Sequence, residues 1–319
     1  MDKALTALQP DHALRMALEG IGKDPKLSDS TKEKYSKTLL NYSATGRSLV
    51  NANDLRDYCL TVPRGTRSLL KAAIGRLAKE LEFQAKSNAT PKNVRVMTAA
   101  IYNAQALMSA IEVETPKGEK YHHWLTAEQL TRIMGMTRKN GSSLIEIRDR
   151  VALGLMSNGM LRRSEAAGVR FSNIKTRDRF RILEVTGKGD KTRLIKLAAG
   201  LAQDIEKLQE LLGSGHVLRP ILKRSTRPPG YTRFGDYFVG ETISSQALYN
   251  LVRRYGKIIG IPDLQPHDLR RTAAGLAYKG GVPIEQISLT LGHENMVTTI
   301  NYLGIKRDWD LQPADVIPY

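Results

Sequence analysis

The stretch EVETPKGEKYHH, residues 112–123, is polar and is broken by Pro116 and Gly118, and helical apolar periodicity resumes on both sides of it. A hydrophobic core does not continue across such a segment, because the segment has nothing to bury and its backbone is not held helical. The chain is 319 residues long, more than one core usually holds. Two separately packed units joined by a linker are therefore expected.

The first unit reads as all-helical. Ser30-Thr-Lys-Glu33 has the pattern of a capping box, and Tyr35, Leu39 and Tyr42 follow at helical spacing. From Ser68 to about Phe83, Leu70, Ile74, Leu77 and Leu81 fall on one stripe. A third helix, from Pro91, carries Val94, Met97, Ile101, Ala104, Met108 and Ile111 at alternating spacings of three and four. Arg64, Arg67, Lys71, Arg76 and Lys79 lie around or within the Ser68–Phe83 helix, mostly off its apolar stripe, so they form a basic face. Residues 1–25 show only weak periodicity and read as an N-terminal arm or a loosely docked helix.

The charge gives that face a meaning. Lys and Arg number 49 against 32 Asp and Glu, a net +17, and the excess is carried by both halves of the chain. A surplus of this size selects polyanionic partners, nucleic acid first and an anionic membrane surface second. No apolar run approaches the roughly 20 residues a helical membrane span needs, so none is expected. Residues 1–10 lack a basic stretch leading into an apolar run, so no signal peptide is expected. Cys59 is the only cysteine, which removes internal disulfides, cysteine-based zinc sites and CxxC redox chemistry, and a cytosol-like reducing compartment fits.

After the linker, Thr126-Ala-Glu-Gln129 opens a helix with a second capping box, another helix runs from about Leu144 towards Met156, and one starts at Ser164. Residues 179–185 and 191–197 then read as two strands around the turn Gly187-Lys-Gly-Asp190, a hairpin with Lys188 on its tip. Helices resume at about 198–213 and 245–259. Gly280-Gly281 stops one further helix, Pro283 starts the next and Gly292 stops that one. The fold class is mainly α with a small β-sheet in the second unit, preceded by an all-α unit.

Chemistry-bearing residues gather near these helix ends. Gln265-Pro-His-Asp-Leu-Arg-Arg271 sets His267 and Arg270 three residues apart, on one face of a helix that is just beginning. A helix start also offers free N–H groups to an anion. Leu291-Gly-His293 places a histidine at a helix boundary, and Tyr302 follows nine residues later. Upstream, Gly159-Met-Leu-Arg-Arg-Ser-Glu165 puts an arginine just before a helix cap.

Each motif by itself is common. In this order they resemble the active site of the tyrosine recombinases, the phage-integrase family, whose sequence of functional residues is Arg, Lys, His-x-x-Arg, His, Tyr. The resemblance covers roughly residues 126–304 and maps onto Arg162, Lys188, His267, Arg270, His293 and Tyr302. GKGDKTR looks like the family's lysine hairpin, and PHDLRRT, LGH and TTINYL look like its C-terminal signature. Gly159 lies one residue further from the arginine than is usual and Ala166 stands where a leucine is common. Arg163 is the neighbouring alternative, but Arg162 keeps the family's spacing of two residues to Ser164.

The resemblance implies a two-domain DNA clamp: an arm over 1–25, a helical core-binding, SAM-like DNA-binding domain over 26–112, a linker over 113–123, and a catalytic domain with a short C-terminal tail over 124–319. Arg64, Arg67, Lys71, Arg76 and Lys79 would then be DNA-binding residues. It also implies the chemistry. Arg162 and Arg270 would neutralise charge growing on the non-bridging oxygens, Tyr302 would attack phosphorus, His267 would accept its proton, His293 would donate a hydrogen bond to the phosphate, and Lys188 would protonate the leaving 5′ oxygen. The product would be a 3′-phosphotyrosyl link, with no metal, ATP or other cofactor required. The implied partners are double-stranded DNA with paired half-sites, further copies of the chain forming a tetramer on that DNA, and accessory DNA-bending proteins; the implied place is the prokaryotic cytoplasm, at the nucleoid. The family's roles span phage integration, movement of mobile genetic elements, resolution of chromosome dimers and segment inversion. Two other readings share the residues: a DNA-binding protein that keeps the fold without catalysis, and a type IB topoisomerase-like enzyme.

Overall fold

The computed structural model describes residues 10–114, 122–137, 143–187, 191–223 and 225–305. The chain divides into two compact units, Met1–Glu119 and Lys120–Tyr319.

The first unit is a bundle of α1 (Pro10–Lys23), α2 (Asp29–Ser43), α3 (Ala52–Thr61), α4 (Arg64–Ser87) and α5 (Val94–Ser109). Its core is built from Leu39, Tyr42, Leu55, Leu70, Ile74, Leu77 and Leu107 among others. Tyr42 is accommodated because its hydroxyl donates to the Ser48 carbonyl at 3.0 Å and its ring meets Tyr58 edge-on at 4.9 Å. Of the two expectations for residues 1–25, an arm or a docked helix, the described part takes the second. Residues 10–23 form a helix whose Ala13, Ala17 and Ile21 are buried in the same core. Two of those three are alanines, which bury little area and give a weak periodic signal. Helix α4 begins earlier than expected, at Arg64, directly after Pro63.

In the second unit, α6 (Ala127–Met136) starts at the expected Thr126–Gln129 capping box and α7 (Leu144–Met156) at a box formed by Ser143 and Glu146. Helix α7 is buried on every side and carries three charges into the interior. Each is matched there: Arg150 forks onto Asp204 with both bonds at 2.5 Å, Arg148 donates to the Arg219 carbonyl at 2.9 Å, and Asp149 accepts from the Tyr255 hydroxyl at 3.0 Å. Burial costs such groups heavily unless every donor finds an acceptor, and these do.

Helix α8 (Arg163–Gly168) leads into an antiparallel meander of β1 (Ile174–Arg177), β2 (Phe180–Thr186) and β3 (Thr192–Lys196). Leu183 pairs with Ile195 and Thr186 with Thr192, so β2 and β3 pair antiparallel as expected on either side of GKGD. Lys188 itself lies outside the described residues. After α9 (Ala199–Leu212) a second three-stranded sheet, β4 (Ile221–Leu222), β5 (Thr232–Phe234) and β6 (Tyr237–Val239), takes the order β4-β6-β5. The expectation of one small sheet is thereby corrected to two; these strands are only two or three residues long, too short for alternation to register. Helices α10 (Ser245–Ile258), α11 (Pro266–Lys279), α12 (Ile284–Leu291) and α13 (Met296–Leu303) complete the unit. Met160, Ala273, Ala274, Ile287 and Leu291 form a small satellite core, against which Tyr302 and Leu303 pack.

Candidate active site

Four turns of chain deliver the site residues. Helix α7 ends at Met156, and the loop after it turns sharply. A Cβ on Gly159 would lie 2.7 Å from the Leu155 carbonyl oxygen, so only glycine fits. Met160 then takes a left-handed conformation, φ 48°, which a non-glycine residue adopts only where its surroundings demand it. Its carbonyl is what the surroundings use, because it accepts from Nη1 of Arg270.

Arg270 is 2% exposed, and its second nitrogen donates to the Leu291 carbonyl at 2.5 Å. These two carbonyls, from the α7–α8 loop and the end of α12, hold the guanidinium rigid. Burial, and then the Arg162 charge, lower its pKa to about 10, so it stays cationic at neutral pH. Arg162 precedes α8 and is partly exposed; its backbone N–H and its Nη1 both donate to Glu165 at 2.8 Å. Arg163 stands with its guanidinium 5.6 Å over the Tyr249 ring. Both arginines line a cleft of about 410 Å³ whose floor and walls include His267 and Arg270.

Glu165, the last residue of the Gly159–Glu165 stretch, is the hub of this cluster. It accepts from Arg193 of β3 at 2.8 and 3.2 Å and lies 3.8 Å from Arg270. Burial pushes its carboxyl up, but the hydrogen bonds from Arg193 and from the Arg162 backbone outweigh that and hold it at about 2. Arg193 also donates to the Thr290 carbonyl at 3.0 Å and lies against Gly292, whose left-handed φ of 66° closes α12. The third arginine of the cluster therefore ties the β2–β3 hairpin to the site.

His267, in the first turn of α11, meets the Tyr302 ring edge-on at 5.2 Å, and His293, just past α12, does so at 5.4 Å. Desolvation by the packed neighbours, and then the charges of Arg270 and Arg271, lower His267 to about 4, although much of the residue remains open to solvent. His293 is lowered to about 4 by burial, then by Arg270 and Arg162. Its Nδ1 lies 2.9 Å from the Thr299 hydroxyl, which donates in turn to Ser288 at 3.0 Å. With the Thr299 hydrogen so used, Nδ1 carries the ring proton and Nε2 is left free. The Tyr302 hydroxyl is buried and makes no well-formed hydrogen bond among the described residues. Burial raises its pKa, while Arg270 and Arg271 draw it back.

Five of the six expected residues thus gather around one point, and Lys188 lies outside the described residues. Besides Glu165 and Arg193, residue-by-residue reading missed Arg271, whose Nε donates to the Tyr302 carbonyl at 2.9 Å. All three sit inside motifs already quoted, RRSE, GKGDKTR and DLRRT, so position within a motif was the available signal.

In the first unit, Arg64, Arg67 and Lys71 share one face of α4 at i, i+3 and i+7. Arg64 donates to the Glu114 carbonyl at 2.7 Å, the Arg67 Nε is buried without a hydrogen-bond partner, and Lys71 and Lys79 are exposed. Arg76 differs from the expectation of an open basic face, because it pairs with Asp24 after α1 and stands 6.0 Å over Tyr35.

The site thus brings guanidiniums, two imidazoles of lowered pKa and a buried phenol hydroxyl together. The chain belongs to the phage integrase family, whose profile matches residues 123–307. It is 31% identical to tyrosine recombinase XerD of Xanthomonas campestris pv. campestris over 49% of this chain and 50% of that protein. It is 25% identical to XerC of Corynebacterium efficiens over 93% of this chain and 95% of that one. The chain spans about half the length of the Xanthomonas relative and 61% of a Lacticaseibacillus casei XerD at 29% identity. Among solved structures, a lambda integrase dimer bound to a COC′ core site matches with TM-score 0.62 at 16% identity, over 93% of this chain and 79% of that one. The XerH recombinase bound to difH substrate matches with TM-score 0.52 at 17% identity, over 97% of both chains. At these identities the two structures establish a shared fold.

Proposed function

We propose that the chain is a site-specific DNA recombinase that cleaves and rejoins strands through a 3′-phosphotyrosyl intermediate at Tyr302. The observation that carries this reading is the Tyr302 hydroxyl, buried against the Arg270 guanidinium and flanked by two imidazoles, so that a phosphate held by Arg270 would lie beside the phenol.

Arg162 and Arg270 take the non-bridging oxygens, and their planar forks neutralise charge that grows in the transition state. His267, neutral at working pH, accepts the phenolic proton as Tyr302 forms its bond to phosphorus. His293 stays aligned through Thr299, and its free Nε2 hydrogen-bonds the phosphate once the ring is protonated, which the anion favours. Lys188 protonates the 5′ oxygen as it departs. The ester stores the energy of the broken bond, so rejoining needs no ATP.

The substrate is double-stranded DNA with paired half-sites, bound by both units of a clamp and by further copies assembled to a tetramer, with accessory DNA-bending proteins compatible with this arrangement. The setting is the prokaryotic cytoplasm, at the nucleoid. No described helix is long and apolar enough to cross a membrane.

The test is a nicked substrate that traps the covalent intermediate. Wild-type protein should run as a DNA adduct on denaturing gels, and Tyr302→Phe should bind DNA normally and give none. An adduct formed by Tyr302→Phe would move the nucleophile to another tyrosine, Tyr278 first, and sink the assignment.

A further inference from the structure

We propose that Arg271 is a latch that holds Tyr302 against its own chain's arginines, with Trp124 as the backing of that latch. The inference rests on the reading of Tyr302 as the nucleophile and adds a positioning residue to it.

Three contacts converge on one guanidinium. The Arg271 Nε donates to the main-chain carbonyl of Tyr302 at 2.9 Å. Its carbon stands 4.9 Å from the centre of the Tyr302 ring and 5.5 Å from that of Trp124, so the cation lies within cation–π reach of both rings. Lysine has no planar fork with which to bond a carbonyl while stacking on rings.

The backing is held against α11 on one face, with Trp124 47% exposed. A Cβ on Gly275, one helical turn along α11 from Arg271, would come within 2.6 Å of the Trp124 ring, so the indole lies flush on α11 where the helix has no side chain. The next residue is pinned too, since the Leu125 N–H donates to the buried Thr272 hydroxyl at 3.0 Å.

The latch matters because α13 is short and mostly open to solvent. That helix has eight residues, below the length at which a helix is stable alone. Of its side chains only Thr299 is buried, and Met296 and Val297 are largely exposed. Its anchors are the satellite core, the Thr299 hydroxyl chain and Arg271. Arg271 is the one of these that grips the nucleophile residue at both its carbonyl and its ring. The His267 and His293 rings flank the phenol and Arg270 approaches its hydroxyl, while Arg271 fixes the backbone from which the side chain springs.

The experiment uses the full chain with Arg271→Ala, Arg271→Lys and Trp124→Ala, read by hydrogen exchange of the 296–303 segment and by single-turnover adduct formation on the nicked substrate. Arg271→Ala should speed exchange in 296–303 while α7 exchange stays as in wild type. It should also slow adduct formation by about 10- to 100-fold, the size of one charge-assisted hydrogen bond, at unchanged half-saturating DNA concentration. Arg271→Lys should recover only part of the rate, and Trp124→Ala should lose less than Arg271→Ala. Unchanged exchange in 296–303 would overturn the latch, and so would a uniform rise that includes α7 or a loss confined to DNA affinity. If the wild type forms no adduct, the recombinase reading fails, while the exchange arm still reports whether Arg271 holds α13.

Discussion

At the scale of single residues the site is an exercise in setting protonation by surroundings. A base must be unprotonated to act. His267 at about 4 is neutral between pH 5 and 6, where an ordinary imidazole at 6.5 is largely charged. The pH profile of kcat/KM for adduct formation, which reports the free protein, should therefore hold level as pH falls through 6 and drop near 4. An acid limb at 6.5 would mean that the base is an imidazole without that depression. The same shift has a stability side. Between pH 6.5 and 4 the unfolded chain takes up protons at His267 and His293 that the folded chain refuses, so stability should decline across that window as pH falls. Glu165 titrates the other way and stays ionised throughout. Replacing it by Gln strips charge from a nearly buried acceptor and leaves Arg193 and Arg270 short of a counter-ion. Glu165→Gln should cost about 3 kcal/mol by denaturant unfolding, as breaking buried pairs does, and should abolish adduct formation. A variant as stable and active as wild type would make Glu165 a bystander.

At the scale of elements, what could be read from sequence depended on how much apolar area each element buries. Helices α4, α5 and α7 carry leucine, isoleucine and methionine at helical spacing and were legible. Helix α1 buries two alanines and an isoleucine, and α3 spans ten residues, so neither stood out. The β2–β3 hairpin was legible through its glycines, whereas β4, β5 and β6 are held by pairing across the chain that no local pattern encodes. The basic face of α4 is an element-level feature with its own test. Replacing Arg67 and Lys71 together should weaken binding to every DNA sequence alike and flatten the slope of log K against log salt by up to about one phosphate's worth per lost contact. A slope identical to wild type would place that face in solvent. Arg76 should add little to this slope, since Asp24 already neutralises it.

For the whole molecule, the charge of +17 and the arginine cluster make one prediction about cofactors. If Arg162, Arg270 and Lys188 supply the positive charge that a divalent ion supplies elsewhere, adduct formation should proceed at the wild-type rate in EDTA. Loss of activity on chelation, restored by Mg²⁺, would assign the reaction to a metal-dependent class. The candidate residues were legible as a set because their order along the chain, Arg, Lys, His-x-x-Arg, His, Tyr, survives whatever loops separate them. Their roles within the set were not. That Glu165 binds three arginines, that Met160 turns left-handed to offer its carbonyl to Arg270, and that Arg271 grips Tyr302 all depend on pairings across 28, 110 and 31 residues of sequence. Local propensity and hydrophobic period act over a few residues, so the chain alone settled the strongly apolar helices and which side chains are available for chemistry. Packing of α8, β3, α11, α12 and α13 against one another decided which of those side chains are buried, paired or left with an unbonded hydroxyl. It does so because burial and hydrogen-bond geometry are properties of neighbours in space, and those neighbours come from distant parts of the chain.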